Sequence, residues 1–203
     1  MKRSLLWGLT VAAILFTVAA GILFWQYHSR EQTIPIYGAV PSFAFTDQTG
    51  SAFLSSRLAG RVWIGAFVFT RCQGQCPIML QALKRIRAGS RSGHSPWIVA
   101  FTVDPLYDTP EVLAETAEAL AVKSPDWRFL TGARDTIYEL ARRGFLLGTE
   151  ATGGDRAEPI LHSSRLILVD GEGQVRGYYD ALDARQVERL RADAERLDHQ
   201  WAP

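Results

Sequence analysis

The most constraining feature of this 203-residue chain is an almost unbroken apolar run, residues 62–69, that is followed at once by a polar turn. Its β-branched and aromatic residues are typical of a strand covered on both faces in a parallel sheet. Apolar residues then recur at helical spacing, at Met79, Leu80, Leu83 and Ile86. This spacing predicts a helix of about three turns. We therefore expect the strand, turn and helix unit of an α/β domain.

Both cysteines of the chain, Cys72 and Cys76, lie in the polar turn. Pro77 is favoured at the first helical position and pushes the preceding residue out of helical geometry, so we expect Cys76 at or near the helix N-cap. Exposed amide N–H groups and the helix dipole favour thiolate there. Gly74 gives the turn the freedom to form either a disulfide or a pair of ligands to one soft metal ion. The residues alone leave both outcomes open.

The N-terminal segment, residues 5–27, contains no charged residue, and its length suits a membrane-spanning helix of roughly 20 residues. Two positive residues, Lys2 and Arg3, precede it. On its other side Arg30 is offset at once by Glu31. The positive-inside rule therefore predicts a cytoplasmic N-terminus and a periplasmic domain.

A cleaved signal peptide is the alternative interpretation of this segment. Small residues at 18–20 form a passable cleavage site, but the apolar run continues beyond them through 22–25. We favour an uncleaved, single-pass anchor in a bacterial inner membrane, since nothing resembles an organelle presequence. The predicted division is a cytoplasmic N-terminus (1–4), a transmembrane anchor (5–27), a linker (28–40) and a folded domain (41–203).

The rest of the chain alternates predicted strands and helices, which is typical of an α/β sandwich. After the linker we expect an opening hairpin around the turn 47–50, a helical turn at 54–58, the central strand and first helix, a strand at 97–103, a helix to 122, a strand at 127–130, a helix opened by Asp135, an apolar piece at 145–147, a loop at 148–159, a hairpin of 165–169 and 175–179, and a last helix capped by Asp183 and Gln186. The cysteine pair after the first buried strand narrows this to a thioredoxin-like fold.

The net charge of +1 gives no reason to expect a nucleic-acid partner. Two cysteines in an exported protein form a structural disulfide by default, but three intervening residues close too small a loop to stabilise much. Reactivity explains the pair better. The spacing is one residue wider than the C-x-x-C of thioredoxin-type oxidoreductases, which favours metal chelation without excluding redox exchange. A peroxiredoxin-type peroxidase is disfavoured because both cysteines crowd one turn.

A third metal ligand could come from one of four histidines, at positions 28, 94, 162 and 199. Only His162, shortly before the predicted strand at 165, lies where a thioredoxin-like fold could bring it to the cysteines. A histidine before a strand is usually an ordinary surface residue, so spacing alone does not make it a ligand. Two thiolates and one imidazole suit copper, Cu(I) especially, better than a closed zinc site, which needs a fourth protein ligand.

Two aspartates, Asp104 and Asp108, follow the strand predicted at 97–103. The carboxyl ends of parallel strands meet at one edge of the sheet, so either carboxylate could support the cysteine turn. The alternative for Asp108 is that it caps the helix that starts at Pro110.

Four segments follow one another in this chain: FVFTRCQGQCPIML, TVDPLYDTPEVL, FLTG at 129–132 and LHSSRLILVDGEGQ. In this order they resemble the Sco/SenC family of membrane-anchored copper proteins, which assist assembly of cytochrome c oxidase. The similarity covers nearly everything from Pro41 to the C-terminus. The ordered combination is specific, whereas any one motif alone is weak.

The resemblance implies a thioredoxin-like fold with an extra β-hairpin, and copper, as Cu(I) or Cu(II), bound by two cysteines and one distal histidine. These positions fall on Cys72, Cys76 and His162. Copper would pass by ligand exchange to the cytochrome c oxidase subunit that carries the copper centre, so the protein would not be a turnover enzyme. An oxidising periplasm tends to close the pair into a disulfide that cannot bind metal, so a periplasmic thiol reductase or copper donor is also implied.

One position departs from the family pattern: a proline commonly follows the first cysteine, and this chain has Gln73, although Pro77 is retained. The change should loosen the turn and retune copper affinity or disulfide potential. The rival hypothesis is a membrane-anchored thiol-disulfide oxidoreductase that uses Cys72 and Cys76. In that case His162 would be dispensable.

Overall fold

The structure, a computed structural model, describes residues 7, 16–21, 34–90, 95–122, 125–147 and 163–201. The chain divides into two compact units, Met1–Pro35 and Ile36–Pro203. Among the described residues, no helix combines the length and the apolar composition needed to cross a membrane. Most of the predicted anchor lies outside the described residues, as do the predicted loop at 148–159 and His162.

Eight strands form one sheet in the described part of the second unit. They are β1 (Gly38–Ala39), β2 (Ala44–Asp47), β3 (Ala52–Leu54), β4 (Trp63–Val68), β5 (Trp97–Thr102), β6 (Trp127–Thr131), β7 (Arg165–Val169) and β8 (Gln174–Asp180). Their spatial order is β1-β8-β7-β4-β5-β6-β2-β3. Strands β4, β5 and β6 are parallel, whereas β7, β8, β1, β2 and β3 join the sheet by antiparallel pairing. The predicted mixed α/β architecture and both predicted hairpins are confirmed.

The described residues of the second unit include four helices: α1 (Gln75–Gly89), α2 (Pro110–Ala119), α3 (Arg134–Glu139) and α4 (Ala184–Trp201). Helix α1 contacts α4, α4 contacts β8, and α2 contacts β6. A short helical turn covers Ser55–Leu58, and a wider turn, Leu140–Gly144, continues α3. The order of strands and helices along the chain is therefore the predicted one, with β1 as a strand that the sequence patterns did not reveal.

Strand β4 is buried along its whole length, as its apolar sequence predicted. On one face the Phe67 and Phe101 rings stack with centroids 5.1 Å apart, and Phe145 lies 5.4 Å from Phe67. Trp63 meets Phe145 edge to face at 5.9 Å. Aromatic pairs of this kind contribute about 0.5–1.5 kcal/mol each beyond area burial. A Cβ at Gly65 would lie 3.3 Å from Trp63, so the small residue leaves room for this cluster.

The apolar piece at 145–147 is buried, and its Phe145 lies in the aromatic cluster. Two local predictions need correction. The helix expected to reach residue 122 ends at Ala119, and Ala121 adopts a left-handed φ of 54° after it. Gln186 does not close a capping box onto the Asp183 N–H; its Oε1 accepts instead from the backbone N–H of Asp180 at 2.9 Å.

Candidate dithiol site

The cysteine turn lies at the carboxyl end of the central strand. Strand β4 ends at Val68 and α1 begins at Gln75, so residues 69–74 form the connection. Cys72 lies in this connection, as predicted. Cys76, predicted at or near the N-cap, lies in the first turn of α1, two residues after the N-cap residue Gly74. Pro77 is still tolerated there, because N–H groups in the first turn need no helical partner.

The two cysteines contact each other directly. The backbone N–H of Cys76 donates to Cys72 Sγ at 3.4 Å, and both residues are free thiols. The N–H of Cys72 in turn donates to the carbonyl of Phe69 at 3.2 Å, which tightens the start of the connection. The turn therefore holds one sulfur over the N-terminal amides of a helix, where negative charge is stabilised.

The environments of the two thiols differ strongly. Cys72 is partly exposed, whereas Cys76 is only 6% exposed. Burial by itself would raise the pKa of Cys72, but the Cys76 N–H and thiol and the amides of Gly74 and Gln75 lower it below its ordinary value. Burial, together with the neighbouring Cys72 and Asp108, raises the pKa of Cys76 to about 12. The thiolate expected near the helix N-terminus is therefore favoured at Cys72 and disfavoured at Cys76.

Asp108 supports the turn from below and is completely buried. Its carboxylate accepts from the backbone N–H of Thr70 at 3.1 Å and from the hydroxyls of Thr70 and Thr102. The interpretation of Asp108 as a helix cap is wrong: Thr109 is the N-cap of α2, and its hydroxyl accepts from the Val112 N–H at 3.5 Å. The aspartate instead ties the end of β5 to the residue that starts the cysteine connection.

Asp104 supports the turn from its exposed side. Its Oδ2 accepts from Arg71 Nε at 3.2 Å and also pairs with Arg71 Nη2. The Arg71 guanidinium carbon lies 4.2 Å from the centroid of the Tyr107 ring. Sequence reasoning identified both aspartates but missed Thr70, Arg71 and Tyr107. Arg71 stands beside Cys72 in the sequence, and that adjacency was the available signal.

The described residues contain no cluster of three His, Cys, Asp or Glu side chains that could hold a metal ion. The structure brings Cys72 and Cys76 together, whereas His162 lies just before the described segment that begins at residue 163. That segment leads into β7, which runs antiparallel to β4 with Leu166 opposite Ala66. The beginning of β7 therefore lies beside the end of β4 that leads into the cysteine connection.

A turn that carries two cysteines between the central parallel strand and the first long helix of a mixed sheet is typical of thioredoxin-like proteins. Comparison with known families identifies the family within this class. The family model described as SCO1/SenC matches residues 33–197. The chain belongs to the SCO1/SenC family.

Individual relatives agree with this assignment. The SCO1 protein homolog of Bacillus subtilis is 27% identical over 191 residues, which cover 93% of this chain and 94% of the relative. BsSco, a member of the Sco family of cytochrome c oxidase assembly proteins in which a disulfide switch was identified, superposes with a TM-score of 0.64 and 25% identity, over 83% of this chain and 98% of BsSco. Yeast Sco1 with copper bound superposes with a TM-score of 0.57 and 25% identity, over 77% and 90% of the two chains. The predicted thioredoxin-like fold and the Sco resemblance are thereby confirmed.

Proposed function

We propose that this protein is a copper metallochaperone that assists assembly of the copper centre of cytochrome c oxidase. The observation that carries the proposal is the dithiol turn, in which the backbone N–H of the buried Cys76 donates to the sulfur of the partly exposed Cys72. Family membership supports the cargo, because yeast Sco1 has a copper-bound structure, and it supports the recipient, because BsSco belongs to a family of oxidase assembly proteins.

The proposed ligands are Cys72, Cys76 and His162. Two thiolates match the preference of Cu(I) for soft donors, and one imidazole completes a three-coordinate set. The antiparallel pairing of β7 with β4 supports the choice of His162, since β7 begins beside the end of β4 and only three positions after residue 162. Neither Asp104 nor Asp108 is proposed as a ligand, because each carboxylate is engaged by Arg71 or by the two threonines.

The unequal burial of the two sulfurs suggests how cargo would be transferred. Cys72 is the sulfur that an incoming donor or acceptor reaches first, and its lowered pKa makes its thiolate available for ligand exchange. Cys76 must lose its proton as copper binds, since burial keeps its free thiol protonated. The partly exposed cysteine therefore starts the exchange, and the buried cysteine completes the capture.

The proposal extends to location and partners. We place the domain in the periplasm on an uncleaved anchor at residues 5–27, on the strength of the charge-free segment and the flanking Lys2 and Arg3. Its partners would be the oxidase subunit that carries the copper centre, a copper donor, and a thiol reductase that keeps the pair reduced. A disulfide between Cys72 and Cys76 would block the site, so copper loading depends on that reductase.

The test is a Cu(I) titration of the reduced full-length protein in detergent, in competition with a chelator of known affinity. We expect one copper per chain, a loss of affinity of at least about 100-fold in Cys72→Ser and Cys76→Ser, and about 10- to 100-fold in His162→Ala. His199→Ala, which alters an exposed histidine at the end of α4, is the matched control. Binding that ignores His162 while the pair still exchanges disulfides with a partner would support the oxidoreductase and overturn the copper site.

A further inference from the structure

Arg71 connects the cysteine turn to the loop that follows β5. Its guanidinium pairs with Asp104 through Nε at 3.2 Å and through Nη2, and its Cζ lies 4.2 Å from the centroid of the Tyr107 ring. We call this set of three residues, Arg71, Asp104 and Tyr107, the Arg71 latch. Cys72 follows Arg71 directly, so the latch fixes the backbone one residue before the partly exposed sulfur.

The loop that receives Arg71 is itself well anchored. The Asp104 carbonyl accepts from the N–H groups of Tyr107 at 3.0 Å and Asp108 at 2.9 Å, and the Asp104 N–H donates to the buried hydroxyl of Thr102 at 3.0 Å. The latch partners therefore cannot follow Arg71 freely if the cysteine turn moves. The latch therefore restrains the cysteine turn against the loop that follows β5.

The middle of the turn is open by contrast. Gly74 has no atom within 4 Å of the position that a Cβ would occupy, and its backbone adopts φ −107° and ψ −102° at the helix N-cap. Cys76 is held in the first turn of α1. Freedom of the turn therefore lies between Cys72 and α1, while the latch restrains the Cys72 end.

We infer that Arg71 is a positioning residue for Cys72, and that the latch favours the dithiol form of the pair over the disulfide. In the structure the latch accompanies an arrangement in which Cys72 Sγ accepts from the Cys76 N–H at 3.4 Å, and an N–H donor of this kind favours the thiolate of a reduced cysteine. Disulfide formation needs the sulfurs about 2.05 Å apart, and drawing Cys72 towards Cys76 pulls on the adjacent Arg71. The consequence for copper rests on the proposed function: a latch that keeps the pair reduced keeps it able to bind metal.

The inference is tested on the full-length protein in detergent by equilibration with mixtures of reduced and oxidised dithiothreitol. Closing the Cys72–Cys76 bond transfers two electrons and two protons to oxidised dithiothreitol, whose own disulfide opens to two thiols. Alkylation and mass spectrometry then give the ratio of disulfide to dithiol. We expect Arg71→Ala to raise this ratio about three- to tenfold with an unchanged melting temperature, and Arg71→Lys to raise it less.

Arg61→Ala is the matched control, since Arg61 also lies over an aromatic ring, 5.0 Å from the centroid of Trp97, at the opposite end of β4 and β5. If Arg71→Ala does not fold, Tyr107→Leu removes the ring contact alone and should raise the ratio in the same direction. An unchanged ratio, or an equal change in the Arg61 control, would overturn the inference. Because the ratio is measured without copper, failure of wild-type protein to bind Cu(I) would reject the proposed function and leave this result standing.

Discussion

The backbone N–H of Cys76 donates to the sulfur of Cys72 at 3.4 Å, so the cysteine in the helix stabilises negative charge on the cysteine in the turn. The relationship is not reciprocal, because Cys76 is buried and Cys72 is not. The lowered pKa of Cys72 favours its thiolate, whereas the raised pKa of Cys76 keeps that thiol protonated until a metal ion binds or a disulfide forms.

This asymmetry predicts the order of alkylation. Iodoacetamide should modify Cys72 first, and the midpoint of its rate against pH should lie below the ordinary pKa of a thiol, because the surrounding amides lower the pKa of Cys72. Cys76 should stay unmodified until the pH approaches about 12 or the protein unfolds. Peptide mass spectrometry across a pH series measures both rates. Equal rates at pH 7 in the native protein would contradict the prediction, and equal rates in urea are the expected control.

Copper affinity should rise with pH. Cu(I) binds thiolates, and the pKa of Cys76 of about 12 means that its proton must leave on binding throughout the neutral range. Each proton released raises the apparent affinity tenfold per pH unit, so we expect at least about a tenfold rise per unit from pH 6 to 8. Chelator competition at several pH values measures the slope. A flat profile would show that Cys76 is not a thiolate ligand.

Asp108→Ala should destabilise the domain by about 2–4 kcal/mol. The substitution leaves the Thr70 N–H and the buried Thr102 hydroxyl without their acceptor, and each such loss costs about 1–3 kcal/mol. Urea unfolding of the reduced protein measures the change. Asp183→Ala is the control, since the Asp183 carboxylate is not fully buried and accepts from the exposed Arg185 N–H and the partly buried Gln186 amide at the start of α4. A loss of similar size there would contradict the assignment.

Gly132→Ala should destabilise the protein by about 1–3 kcal/mol, because the added Cβ would lie 2.7 Å from the ring of Phe45. Gly38→Ala is the matched control, since no atom lies within 4 Å of its Cβ position. Thermal unfolding of the two variants compares the close approach with the open position. Equal melting temperatures would mean that Phe45 moves aside freely.

The sequence predicted the parts of the fold that depend on strong local patterns. The apolar sequence of β4 predicted a buried strand, and the turn residues predicted the two antiparallel hairpins, β2–β3 and β7–β8. Strand β1 escaped prediction because it has two small residues, Gly38 and Ala39, and exists only through pairing with β8. The end of α2 was misplaced because Ala121 can adopt a left-handed φ that no side-chain pattern signals.

The sequence predicted which residues form the candidate site, but it did not predict how buried each of them is or which residues contact them. Spacing located Cys72 and Cys76 on one turn, and helix position alone suggested that both would favour thiolate. Burial of Cys76 reverses that preference, and burial of one side chain in a helical first turn depends on packing from the whole sheet. The role of Asp108 shows the same limit. Its contact with Thr70 joins residues far apart in the sequence, and its contact with Thr102 was not considered because Asp108 was interpreted as part of a helix start.

The sheet ends in very short strands on both sides, with two residues in β1 and three in β3, in the part of the chain that the structure describes. Long edge strands present rows of unpaired amide and carbonyl groups that recruit other chains by strand addition. Strands as short as β1 and β3 offer almost no template for such pairing, so another chain that adds to this sheet gains few backbone hydrogen bonds from either of them.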